Sequence, residues 1–95
     1  MTTTHTRGPW HADRRDILTM ENRCIATVWS GAAASLEEAD ANERLFSAGP
    51  ELLAVAIEAE AILTKQRWRA DSPDPEAVAL RNLRAAISKA IGGAA

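Results

Sequence analysis

The sequence predicts an α+β fold: a short antiparallel β-hairpin or three-stranded sheet, then a short helix, then a C-terminal antiparallel helical hairpin. Three observations carry this reading. β-Branched and apolar residues gather in residues 16–29 on both sides of a polar Glu21-Asn22-Arg23 turn. Ser35 stands three residues before Glu38, the spacing of a capping box, in which the hydroxyl accepts from a helical N–H and the carboxylate reaches back to the cap. Gly49-Pro50 then divides one helical pattern from the next, because proline disfavours helical geometry in the residue before it and suits a first helical turn. The predicted layout is a disordered tail over residues 1–8 and one domain over 9–95. Within that domain the sheet spans 9–30 and the helices span 35–48, 50–68 and 75–91.

Each element has its own local warrant. The tail, four threonines with one histidine and one arginine among its residues, has nothing to bury. Gly8-Pro9 fixes the entry of the chain, and Trp10 is the first anchored side chain, opening an edge strand where a missing N–H is harmless. In the hairpin, residues 17–20 form one run and 24–29 the other. Asn22 is the turn residue best suited to positive φ. Period two places Cys24, Ala26 and Val28 on one face and Ile25, Thr27 and Trp29 on the other. Along the first helix Ala39, Asn42, Leu45 and Phe46 share a side, with Asn42 expected to satisfy backbone groups of the adjacent hairpin.

The second helix carries the richest apolar run. Leu52, Val55, Ala56, Ala59, Ile62 and Leu63 make one stripe, widened by Leu53, Ile57 and Ala61, so this face meets more than one surface. Glu51, Glu58 and Glu60 come early and Lys65, Arg67 and Arg69 late, an order that complements the helix dipole. Asp74 with Pro75 starts the third helix and Gly92-Gly93 stops it. Its seam is Leu80, Leu83, Ile87 and Ile91, with Ala79, Ala86 and Ala90 beside them allowing close helix approach.

Composition narrows the function. A chain of 95 residues with one Phe, three Trp and no Tyr has few large side chains for a core. A helix face left open in one copy would be closed by another, so a homo-oligomer is expected, a dimer first. The net charge of −2 and pI near 5.6 argue against a role in coating nucleic acid or an anionic membrane. A lone Cys24 offers no disulfide framework and fits a reducing cytoplasm. Neither a signal peptide nor an apolar run of membrane-spanning length is visible, so the expectation is a cytoplasmic protein of a bacterial host cell.

The motifs that carry chemistry are thin. His5 and His11 lack a third ligand nearby, so no metal is expected, and no cofactor either. Without a Gly-rich phosphate loop, a nucleophile elbow or an HExxH, the chain does not read as an enzyme. The pairs Glu37-Glu38 and Glu58-Glu60 sit where a helix faces water. The sharpest patch is Lys65-Gln66-Arg67-Trp68-Arg69, extended by Arg81 and Arg84. Its plainest reading is a wet helix end whose indole packs on its own chain. Next comes docking on an acidic protein surface with Trp and Arg as anchors, and last a nucleotide or nucleic acid stacked on the indole.

Three segments carry a resemblance: Gly8-Pro9-Trp10, the strand Ile25-Ala26-Thr27-Val28, and EEADANERLFSAGPELL over residues 37–53. Together they resemble a family of small, uncharacterised phage and prophage proteins. Those proteins carry Gly-Pro-Trp, an Ile-Ala-x-Val-like strand, an EAxANxRLxxAxPELL segment and a further helix. The resemblance covers about residues 8–63 and is most specific in the ANxRLxxAxPELL part. This chain departs from it at Glu21-Asn22-Arg23, where Asp-Gly is usual, and at Phe46. The resemblance implies an accessory phage protein that acts by binding, such as an inhibitor of a host defence system. The alternative is an oligomeric binder, or sponge, for a nucleotide signal.

Overall fold

The computed structural model describes residues 4–29, 31, 33–69 and 71–92. The expected roles of Met1–Thr3 in the tail, Ser30 and Ala32 in the sheet-to-helix link, and Gly93 as a stop lie outside these residues. Three strands, β1 (His11–Asp13), β2 (Asp16–Leu18) and β3 (Cys24–Thr27), precede three helices, α1 (Leu36–Ser47), α2 (Gly49–Thr64) and α3 (Pro75–Ile91). The α+β class and the three-stranded antiparallel sheet are as predicted. The chain divides into two compact units, residues 1–52 and 53–95, and α2 runs through the boundary.

The first unit is a meander in the order β1-β2-β3, antiparallel throughout. Ile17, with no solvent exposure, pairs with Ala12 on one side and Ala26 on the other. With Val28, Thr19 and Ala39 it forms the buried centre of this unit. The β2–β3 turn behaves as the sequence requires: Asn22 has φ 64, its N–H donates to the Thr19 carbonyl, and the Arg23 N–H donates to Thr19 Oγ1. Strict alternation in β3 fails. Leu18 pairs with Cys24 while Ile17 pairs with Ala26, so Ile25 is an extra residue in a bulge. Cys24 is therefore exposed, whereas Val28 is buried.

The β1–β2 turn carried no recognisable signal. Asp13 pairs with Asp16 across only Arg14 and Arg15, whose φ angles are 51 and 74. Positive φ at both central positions is the geometry that usually selects Asn-Gly, because a Cβ crowds the following carbonyl there. Arg15 is tied down instead by what it bonds. Its carbonyl accepts from the Val28 N–H at 2.7 Å, its N–H donates to Glu43 Oε1, and its guanidinium lies 2.7 Å from Asp40 Oδ1. The charge and hydrogen bond of Asp40 hold the Arg15 pKa above its ordinary value.

Those bonds set the rotation of α1. Ser35 caps it as predicted, Oγ accepting from the Glu38 N–H at 3.1 Å. The inward side, however, carries Ala39 and Glu43. Asn42, expected against the hairpin, is exposed, and Leu45 and Phe46 are exposed with it. The carboxylate that must reach Arg15 takes the inward place. At the break, the Ala48 carbonyl accepts the first hydrogen bond of α2 from Leu52, so α2 begins at Gly49, with Pro50 in its first turn.

α2 is shorter than predicted. It ends at Thr64, where the N–H groups of Lys65, Gln66 and Arg67 donate to carbonyls three residues back and Arg67 takes φ 54. Lys65, Arg67 and Arg69 therefore follow the helix, and its last turn has no basic residue. In the second unit Ala77, Leu80 and Ser72 are buried, with Leu83 and Ile87 half-buried. Ile91 and the alanines Ala79, Ala86 and Ala90 are exposed, so they do not serve close helix approach. Gly92 closes α3 with φ 71, its N–H donating to the Ser88 carbonyl. Asp74 stands at the N-cap, where its N–H donates to Ser72 Oγ while its side chain makes no cap bond. Arg84 bridges α3 to the C-terminal part of α2 through Glu60 and Thr64.

Candidate functional site

The residues that define the sequence motifs meet first in a packing contact. Trp10 is half-buried, and its ring lies where a Cβ on Gly49 would come within 3.4 Å of it. Gly8 fits more tightly still: a Cβ there would stand 2.7 Å from Pro50 Cβ and 3.0 Å from Pro50 Cγ. Gly8-Pro9-Trp10 and Gly49-Pro50, forty residues apart in sequence, are thus two halves of one joint in the first unit. The residues before Trp10 are held by it. The indole N–H donates to the Thr6 carbonyl at 3.1 Å, and the His5 ring meets the indole edge to face at 6.1 Å. Thr4–Gly8, read from sequence as tail, therefore has defined contacts.

The two histidines do structural work. His11 Nε2 lies 3.1 Å from both the Thr19 carbonyl and Asn22 Oδ1 and steadies the β2–β3 turn. Among the described residues no three His, Cys, Asp or Glu side chains gather as a metal site would require.

The basic patch does not act as one cluster. Arg84 Nε bonds Glu60 Oε1 at 3.1 Å and its terminal nitrogen bonds Thr64 Oγ1 at 3.0 Å. The Arg84 bond, and after it the bond that the Thr64 hydroxyl donates to Glu60 Oε1 at 3.0 Å, pull the Glu60 carboxyl below its ordinary pKa. Arg69 faces Asp71 at 3.8 Å with both side chains in water, a pair of little energetic weight. Lys65 and Arg67 are exposed at the end of α2, and Arg81 is exposed on α3. Trp68, four residues past the end of α2, is half-buried. Its indole N–H is buried with no acceptor within reach, a group that ordinarily finds one.

A feature with no sequence motif lies in the first unit. Thr6 and Arg7 face Thr19, Glu21, Arg23 and Cys24 across an open groove of about 610 Å³. Arg7 and Arg23 are sixteen positions apart, so only the fold of residues 4–10 against the β2–β3 turn brings them together.

The most extensive chemical feature is apolar surface. Among the described residues ten large hydrophobic side chains are exposed, Met20, Trp29 (80%), Leu36, Leu45 and Phe46 among them. Against them, only Ile17 among the large side chains described is fully buried. No residue of α2 is buried, yet no described helix is long and apolar enough to cross a membrane.

Fold and surface together define a small α+β protein with a thin interior and an apolar exterior. The chain belongs to the family of Salmonella phage P22 protein Y8K6, whose model matches residues 1–94. This places it in a small phage protein family, over a longer stretch than the residues 8–63 of the resemblance. Neither the curated proteins nor the solved structures contain a match.

Proposed function

We propose that this chain is a non-catalytic phage accessory protein that works in the host cytoplasm by binding other protein chains, the specific form being inhibition of a host defence system. One observation carries the reading: large apolar side chains stand outside in number while the interior holds very few. Contiguous apolar surface beyond a few hundred Å² on a small protein marks a contact site more often than an accident of folding. In α1 the adjacent Leu45 and Phe46 are both exposed to solvent, 65% and 47%. The competing reading, a nucleotide sponge built on the basic patch, is weakened because Arg84 is already bonded to Glu60 and Thr64.

The test uses the tagged chain expressed in its bacterial host. A host protein recovered in stoichiometric amount, and lost when Leu45→Asp and Phe46→Asp are introduced together, supports the proposal. Equal recovery by the wild type and the double variant counts against it. A melting temperature raised by a free nucleotide, with no protein recovered, points to the sponge instead, since a ligand of the native state stabilises it by mass action.

A further inference from the structure

Along α2 part of the exposed apolar surface follows a heptad, with Ile57 (45% exposed) lying off it. Leu52 (49% exposed), Val55 (57%) and Ile62 (56%), with half-buried Ala59 between them, step by three, four and three residues. That spacing keeps them on one side of a single continuous helix, whatever surrounds it. The half-buried stripe Leu53, Ala56, Glu60 and Leu63 faces another way, so this second stripe is additional to the one the chain uses for itself. Beside it runs a charged row at seven-residue steps: Glu51, Glu58 and, one residue past the helix end, Lys65.

We propose that a second copy of this chain docks antiparallel on the Leu52–Val55–Ala59–Ile62 face. This deepens the binding function proposed above and rests on it. The pattern selects the occupant by charge and by size. With the helices reversed about a centre near Ile57, Leu52 meets Ile62 of the second copy and Val55 meets its Ala59, each pair repeated by symmetry. Small residues then sit against larger ones, and no layer is Ala on Ala. In the same register Glu51 stands opposite Lys65 of the second copy, twice over, and the helix dipoles oppose. A parallel pairing stacks Ala59 on Ala59, leaves Glu51 facing Ala56, and aligns the dipoles. The antiparallel register has one adverse contact, Glu58 against Glu58 at the two-fold axis, and it makes the register testable.

A 16-residue helix is about 24 Å long, so the contact falls at the small end of specific interfaces, and the dimer is weak and concentration-dependent. Sedimentation velocity on the full chain from 5 to 500 μM reads it out, these being assay settings spanning about two decades around a weak dissociation constant. The expected result is a mass rising from one chain to two. Ile62→Glu abolishes the rise. Glu51→Lys weakens association about tenfold, and adding Lys65→Glu restores it, because the swap re-creates both pairs. Glu58→Gln tightens it several-fold by removing the like-charge contact. These are surface substitutions, and circular dichroism confirms that each variant is folded.

A single-chain mass across the whole range overturns the inference, even where a host protein still binds through Leu45 and Phe46. So does a dimer that Glu51→Lys leaves as tight as the wild type. Equal host-protein recovery by the wild type and the Leu45/Phe46 double variant, with the dimer intact, overturns the functional proposal instead, which separates the two failures.

Discussion

Replacing Gly8 with alanine tests the joint between the two ends of the first unit. A Cβ at this position falls 2.7 Å from Pro50 Cβ and 3.0 Å from Pro50 Cγ, whereas carbon atoms in good contact stand about 3.5–4.0 Å apart. The deficit is close to an ångström, and a ring has no rotamer with which to step aside. Pro50 is also held in place, since it lies in the first turn of α2 and its neighbour Gly49 backs onto the Trp10 ring. Overpacking of this kind costs about 1–3 kcal/mol. The alanine recovers about 0.4–1 kcal/mol by restricting the unfolded chain, so the net loss is about 1–2 kcal/mol, or roughly 5–15 °C in melting temperature for a domain of this size. Gly31 is the internal control: a Cβ there meets nothing within 4 Å, so Gly31→Ala should leave stability unchanged or raise it slightly. Urea and thermal melts of both variants provide the comparison. In a Pro50→Gly background the Gly8→Ala penalty should shrink, because the atoms it strikes are gone. Equal stability of Gly8→Ala and Gly31→Ala would refute the contact.

Ile17→Ala removes the one large side chain described as fully buried and should cost about 2–5 kcal/mol. Val55→Ala on exposed α2 should change the stability of a single copy by less than about 0.5 kcal/mol, measured in the same denaturant series. Arg67→Gly should raise the melting temperature, worth about 1 kcal/mol, since φ 54 strains a side-chain-bearing residue and suits glycine at a helix end. Glu60, whose pKa is lowered in the folded chain, contributes stability that is present above the ordinary carboxylate pKa and lost as pH falls through the folded value. Melts of the wild type and Glu60→Gln should therefore differ at pH 7 and converge in acid; a difference that persists at low pH would remove the Arg84 pairing as its cause.

Local chemistry was enough to locate most of the elements. The Ser35–Glu38 cap, the Gly49-Pro50 break, the Asn22 turn, the Pro75 start and the Gly92 stop each depend on residues within a few positions, and a linear reading sees all of them. Three things required the folded chain. The Arg14–Arg15 turn has the dihedrals of an Asn-Gly hairpin without its residues, because Asp40, Glu43 and Val28 supply from elsewhere the bonds that hold it. The end of α2 at Thr64 has no breaker in sequence, since Arg67 takes its left-handed conformation without being glycine. The groove lined by Arg7 and Arg23 brings together residues sixteen positions apart, which no local pattern announces.

What the sequence determined by itself was the class of fold and the order of its elements, because caps, breaks and apolar periods act over one or two turns of chain. What only the tertiary structure decided was which side of each helix faces inward: Ala39 with Glu43 rather than Asn42 in α1, and Leu53 with Ala56 rather than Val55 with Ile62 in α2. An apolar stripe states that a helix has surface to cover. It does not state what covers it, because burial is settled by partners distant in sequence, or by none in the same chain.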